Sequence, residues 1–93
     1  MKEKIIKSSG NVFADLGFSE EESALLAMRA ELMAKLREAI TQNGWTQTEA
    51  ASVLGISQSR VSDLVRGKYE KFSLDMLIAL TTRAGKKVSI AVA

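Results

Sequence analysis

The chain has 93 residues, of which 46 % are hydrophobic and 26 % are charged, and its formal net charge is +2. This size fits one small domain, and the apolar content argues against disorder throughout. The chain has no histidine and no cysteine, which excludes the usual zinc sites, disulfide bonds and Ser-His or Cys-His catalytic pairs. We therefore predict no enzyme activity, no metal and no cofactor. No apolar run is long enough for a membrane span or a secretory signal, and the lack of cysteine fits a cytoplasmic protein.

Residues 1–18 are predicted to form an N-terminal arm with one short helical turn. Asn11 can cap the segment VFADL, which Gly17 ends. The apolar residues of this arm are Val12, Phe13, Leu16 and Phe18. Two interpretations remain open, because these side chains could fold back on the next helix or stay exposed for another protein.

Residues 19–85 are predicted to form an all-α domain. Ser19 with Glu22 forms a capping box that opens a long helix through about Gln42, and Asn43-Gly44 ends it. Ser73 caps a last helix, which Gly85 ends. Trp45, Tyr69 and Phe72 are interpreted as packing residues.

Between these helices, residues 47–66 read QTEAASVLGISQSRVSDLVR and match a helix-turn-helix template. The matching residues are Ala50, Ala51, Leu54, Gly55, Ile56, Val61 and Leu64. Alanine permits a close approach of two helices that cross steeply, and glycine adopts positive φ at low cost in the turn. Thr46 with Glu49 opens the first motif helix, from Gln47 to about Leu54, and Ser57 caps the second, Gln58–Val65.

The tail 86–93 reads KKVSIAVA, and its alternation of apolar and polar residues predicts a short β-strand. A lone strand needs a partner for its backbone groups. The candidates are Lys4–Ile6 of the same chain and the tail of a second copy. We favour the second copy, because a two-fold axis there would join two DNA-reading heads in a homodimer.

The charge distribution is uneven along the chain. Residues 1–56 carry six bases and eight acids, whereas residues 57–93 carry seven bases and three acids. The positive part begins where the second motif helix begins. This polarity favours one face toward phosphates and another toward protein.

In a helix-turn-helix the second helix lies in the major groove of double-stranded DNA. Gln58 can bond to adenine, and the serine hydroxyls of this helix can bond to several bases. Asp63 could accept from cytosine, although an intrahelical ion pair with Arg60 or Arg66 is the simpler interpretation. The start of the first motif helix and the basic residues are predicted to contact phosphates. The predicted DNA-binding residues are Thr46, Gln47, Ser57, Gln58, Ser59, Arg60, Ser62, Asp63, Arg66 and Lys68.

From about Leu32 to Leu80 the chain resembles the Xre family, the Cro/CI-type DNA-binding domains of phage repressors. The segments that carry the resemblance are TQTEAA, LGIS, QSRVSDLVRGK and FSLDMLIAL. The resemblance implies a lambda-repressor-like bundle of about five helices and a transcriptional repressor. It also implies that Gln47 and Gln58 cooperate on phosphate and adenine, and that Ser59 reads a base.

The flanks are similar to a narrower group, the small Xre-type antitoxins of HigA kind. The similarity lies in the segment SSGNVFADLGFSEEE, the long first helix and the terminal strand. It implies an alternative function, the antitoxin of a type II toxin–antitoxin pair. Such a protein neutralises a RelE/HigB-like ribonuclease and represses its own operon.

Overall fold

The computed structural model describes residues 11–93 and contains five α-helices and one short 3₁₀ helix. Within these residues no segment forms a β-strand. In chain order the helices are α1 (Asn11–Asp15), α2 (Glu20–Asn43), α3 (Gln47–Leu54), α4 (Gln58–Val65), the 3₁₀ helix (Tyr69–Lys71) and α5 (Leu74–Arg83). The prediction of an all-α bundle of about five helices is thereby confirmed.

The long helix α2 is the scaffold of the bundle. The predicted capping box is present, with the Ser19 hydroxyl accepting from the Glu22 amide and the Glu22 carboxylate accepting from the Ser19 amide. At the other end Gly44 takes a left-handed conformation with φ of 67°, and its amide donates to the Thr41 carbonyl at 3.1 Å. Both ends of α2 are therefore set by local sequence, as predicted.

One apolar core joins α2, α3, α4 and α5. Its fully buried members are Met33, Leu36, Leu54, Leu64, Phe72, Leu77 and Leu80. Every helix from α2 to α5 contributes at least one of them, so the two short motif helices are held by the helices before and after them. Phe72 is in this core, which confirms its predicted packing role.

The short helix α1 packs on α2 and reaches the 3₁₀ helix. The half-buried Phe13 ring lies edge-on against Tyr69, with 5.5 Å between centroids, and against Phe18 at 6.2 Å. In contrast, Val12 is 66 % exposed and Leu16 is 71 % exposed. The interpretation of folding back therefore holds for Phe13, whereas Val12 and Leu16 face solvent.

The prediction of a C-terminal β-strand is wrong for the single chain. Residues 86–93 have no regular secondary structure. A strand forms only when its backbone groups find a ladder partner, and the described part of the chain offers none. Ile90 is 78 % exposed and Val92 is 90 % exposed, while Val88 is half-buried against α2 and α5. The alternative partner segment, Lys4–Ile6, lies outside the described residues.

Candidate nucleic-acid interface

Helix α3 begins with the second predicted capping box. The Glu49 amide donates to the Thr46 hydroxyl at 3.1 Å, and the Thr46 amide donates to the Glu49 carboxylate at 2.9 Å. The Thr46 hydroxyl keeps its own proton, which is free to donate to an anion. Gln47, the first helical residue, is exposed beside it. The opening turn of α3 therefore presents donors to solvent.

The turn between α3 and α4 depends on Gly55, which has φ of 69°. Its amide donates to the Ala51 carbonyl at 2.8 Å, which closes α3. The buried Ala50 supplies the small side chain that the motif requires. The side chain of Arg83 also contributes, since its Nη1 donates to the Leu54 carbonyl at 2.8 Å. No sequence signal indicates this contact, because Arg83 is 29 residues away in the chain.

Helix α4 has a buried side and an outward side. The Arg60 amide donates to the Ser57 hydroxyl at 3.1 Å, which confirms the predicted cap. Val61 and Leu64 are fully buried. Residues four apart in a helix lie within about 40° of each other, so the positions 58, 62 and 66 share one face. The outward side carries Gln58, Ser59, Ser62 and Arg66, all exposed except the half-buried Ser62.

Asp63 lies at the edge of this face and is paired with Lys68. Its Oδ1 is 3.9 Å from the Lys68 Nζ, and its side chain is only 16 % exposed. The Lys68 amide also donates to the Asp63 carbonyl at 3.0 Å. The ion pair predicted for Asp63 therefore exists, but its partner is Lys68 and not Arg60 or Arg66. The pair neutralises a carboxylate that would otherwise repel phosphates.

Arg60 differs from the other predicted DNA-binding residues in its surroundings. Its guanidinium lies over the Phe72 ring, 4.7 Å from the centroid, and its Nη2 donates to the Lys71 carbonyl at 3.1 Å. Both contacts lie on the side of α4 toward the 3₁₀ helix and α5. The structure thus places Arg60 apart from the outward face.

The remaining predicted residues lie at the starts of α3 and α4, along α4 and just after it, and all are exposed except the half-buried Ser62 and Lys68. Together they carry amide and hydroxyl groups and the cations of Arg66 and Lys68, and we call this set the α3–α4 face. Its members are Thr46, Gln47, Ser57, Gln58, Ser59, Ser62, Arg66 and Lys68. Such a surface can donate to phosphate oxygens and bond to base edges.

A family model described as a helix-turn-helix domain matches residues 12–93. The chain belongs to this helix-turn-helix family. The match covers nearly all of the described residues, including both flanks of the motif. It supports DNA binding as the general activity of the domain. A comparison with curated proteins found no match.

In this helix-turn-helix protein, α3 is the first motif helix and α4 is the second. No helix within residues 11–93 is long and apolar enough to cross a membrane. Among the same residues, no group of three or more acidic side chains is arranged so that it could hold a metal ion.

Proposed function

We propose that this protein is a sequence-specific transcriptional repressor that binds double-stranded DNA with α4 in the major groove. The observation that carries the proposal is the two-sided character of α4, with Val61 and Leu64 fully buried and a polar outward face. A helix locked on one side and polar on the other is suited to reach base edges. Repression then follows from occupation of a promoter.

The residues of the α3–α4 face have different roles in this proposal. Gln58 bonds to adenine, and Ser59 and Ser62 contact neighbouring bases. Thr46, Gln47 and Ser57 donate to phosphates at the helix starts, where backbone amides are also free. Arg66 and Lys68 add cations on the same face, and the resemblance to Cro/CI-type domains supports this distribution.

The DNA-binding proposal is tested by comparing two variants on duplexes selected from a random pool. Gln58→Ala should weaken binding to the selected duplex by about tenfold and relax the base preference, because one bidentate contact is worth roughly 1–3 kcal/mol. Lys68→Ala should weaken binding to all duplexes similarly and lower the slope of log affinity against log salt by about 0.9. If both variants bind every duplex as the unchanged protein does, α4 is not placed in the major groove as proposed.

We further propose that the active form is a homodimer joined by residues 86–93. The exposed Ile90 and Val92 and the lack of regular secondary structure in the tail support this. An apolar groove of about 200 Å³ lies between Met28, Leu32 and Ile78 on one side and the tail, including Ile90, on the other. A two-fold arrangement would pair two tails as antiparallel strands and place half-sites about one helical turn apart.

The dimer is tested by measuring the solution mass by sedimentation. Replacing both Ile90 and Val92 by glutamate should give a monomer, because four carboxylates would then meet at the axis. The matched control replaces the exposed Ala24 and Ala34 of α2 by glutamate, which adds the same charge outside residues 86–93. A parental protein that is monomeric at every concentration, or a double glutamate variant that still dimerises, would contradict this interface.

A second candidate function is that of an antitoxin that neutralises a RelE/HigB-like ribonuclease. Residues 11–28 contain four carboxylates and no basic residue, and Val12 and Leu16 are exposed on α1. An acidic surface with apolar anchors suits a basic partner. The similarity of the flanks to HigA-type antitoxins supports the same candidate.

This candidate is tested by assaying ribonuclease inhibition and DNA binding in parallel. Deleting residues 1–18 should abolish inhibition and preserve DNA binding, but the deletion also removes the packing of Phe13 on Tyr69. A sharper variant is Val12→Ser with Leu16→Ser, which retains Phe13. If both proteins inhibit a cognate ribonuclease as the parent does, the inhibitory surface does not lie in this arm.

A further inference from the structure

We propose that Arg60 is a positioning residue, which sets the pose of α4 and does not serve as a phosphate ligand. The inference rests on the proposed function, in which α4 enters the major groove. It concerns how closely Gln58 and Ser59 are aligned with the bases.

The first support is the number of contacts that one guanidinium makes. Its carbon lies 4.7 Å from the centroid of the Phe72 ring, and its Nη2 donates to the Lys71 carbonyl at 3.1 Å. Phe72 is only 2 % exposed and belongs to the core, so it is a fixed support. Arg60 therefore joins the start of α4 to the junction of the 3₁₀ helix and α5.

The second support is the position of Arg60 on the helix. Residues two apart are rotated by about 200° and residues four apart by about 40°. Arg60 thus lies on the opposite side from Ser62 and beside the fully buried Leu64. Its Cα–Cβ direction is toward the bundle and away from the outward face.

The third support is the chemistry of the side chain. A planar guanidinium can stack on an aromatic face and donate from its edge at the same time, whereas an ammonium offers no plane. Arg60 does both at once, since it stacks on the Phe72 ring and donates to the Lys71 carbonyl.

The consequence is a difference between specific and non-specific binding. Base contacts require α4 in one pose, whereas contacts with phosphates tolerate several. Without the contacts of Arg60, α4 can change its orientation about the buried Val61 and Leu64. The selected duplex should then lose affinity while a scrambled duplex does not.

The test uses the full chain with Arg60→Lys, Arg60→Met and the matched control Arg66→Met. The probes are the duplex selected by the parent from a random pool and a scrambled duplex of the same composition, each measured over a range of salt. Both Arg60 variants should bind the selected duplex about tenfold more weakly, as for one misaligned base contact. Their affinity for the scrambled duplex and their salt slope should match the parent. Arg66→Met should weaken binding to both duplexes and lower the slope of log affinity against log salt by about 0.9.

The outcomes separate this inference from the proposed function. If Arg60→Lys binds as the parent does while Arg60→Met loses salt slope on both duplexes, Arg60 is a phosphate ligand and the inference fails. If both Arg60 variants keep parental discrimination, the inference also fails. A parent that selects no duplex from the random pool would contradict the proposed function itself.

The partner side chain provides a second route if Arg60→Met does not fold. Phe72→Leu retains an apolar core residue but removes the aromatic face, and it should reproduce the loss of discrimination seen in Arg60→Lys. Combining Phe72→Leu with Arg60→Lys should cost no more discrimination than either change alone, because both remove one contact. Additive losses would overturn the inference.

Discussion

The motif and the two ends of the described chain have similar apolar patterns, but the apolar side chains are buried in the motif and exposed at the ends. In the motif, Leu54, Val61 and Leu64 are fully buried. At the ends, Val12 and Leu16 of α1 and Ile90 and Val92 of the tail are largely exposed. An apolar pattern predicts which side of a segment becomes buried if a packing partner is present. Whether the same chain supplies that partner depends on residues outside the segment.

The apolar side chains of the motif are buried by α2 and α5, which lie on either side of it in the sequence. The apolar side chains of the ends are only partly buried by the described chain, through Tyr69 beside Phe13 and through the groove beside Val88. The centre therefore maintains the fold as well as carrying the proposed DNA-binding face, whereas the exposed apolar side chains of the ends fit the proposed contacts with a second copy or another protein. Four predictions test this difference, from the largest expected effect to the smallest.

Leu64→Ala should lower the free energy of unfolding by about 3 kcal/mol, because it leaves a cavity in the core between α4 and its supports. The neighbouring Val65 is 41 % exposed, and Val65→Ala should change stability by less than about 0.5 kcal/mol. Chemical denaturation followed by Trp45 fluorescence measures both. Similar losses for the two variants would show that the inner side of α4 is not tightly packed.

Gly55→Ala should cost about 1.5 kcal/mol, because an alanine in the left-handed region is strained by roughly 1–2 kcal/mol. The cost is of backbone origin, since the nearest atom to the added Cβ, Arg83 Nη1, is at an ordinary distance of 3.5 Å. Gly17→Ala carries similar strain at φ of 94°. It should cost less in global unfolding, because α1 can detach alone. Equal global losses would mean that α1 unfolds together with the motif.

Phe13→Ala should lower stability by about 1 kcal/mol, mainly through the lost aromatic contacts with Phe18 and Tyr69. Leu16→Ala, on the exposed side of the same helix, should have almost no effect. Thermal unfolding of the two variants gives the comparison directly. A larger loss for Leu16→Ala would place the packed side of α1 opposite to the one described.

Val92→Ser should change the stability of the monomer by less than about 0.5 kcal/mol, because this side chain has almost no intramolecular contact. The measurement should be made at the lowest protein concentration that the signal allows, so that self-association does not contribute. A loss above 1 kcal/mol under these conditions would mean that the tail packs within its own chain.

The helices were predictable because their boundaries depend on neighbouring residues. The boxes at Ser19 and Thr46, the caps at Ser57 and Ser73 and the turn at Gly55 all act within four residues. Local hydrogen bonds of this kind are encoded locally. The bounds of α3 and α4 accordingly agree with the sequence prediction at both ends.

The contacts that support the motif were not predictable, because they depend on how the chain turns and packs beyond each helix. Arg83 bonds to the Leu54 carbonyl, Arg60 stacks on Phe72, and Asp63 pairs with Lys68 across the end of α4. Sequence spacing suggested intrahelical partners for Asp63, whereas the turn after α4 brings Lys68 closer. The tail strand failed for a related reason, since alternation indicates a strand but not the ladder partner that permits it.

The bond from Arg83 to the Leu54 carbonyl has a consequence for biosynthesis. Ribosomes make proteins from the amino end, so Arg83 is added after every residue of α3 and α4. A growing chain can therefore form both motif helices before this hydrogen bond secures their connection, and it should acquire full affinity for DNA only late in translation. Stalled nascent chains that expose Thr82 but not Arg83 should bind DNA more weakly than chains extended past Ala84, and equal binding would refute this order of events.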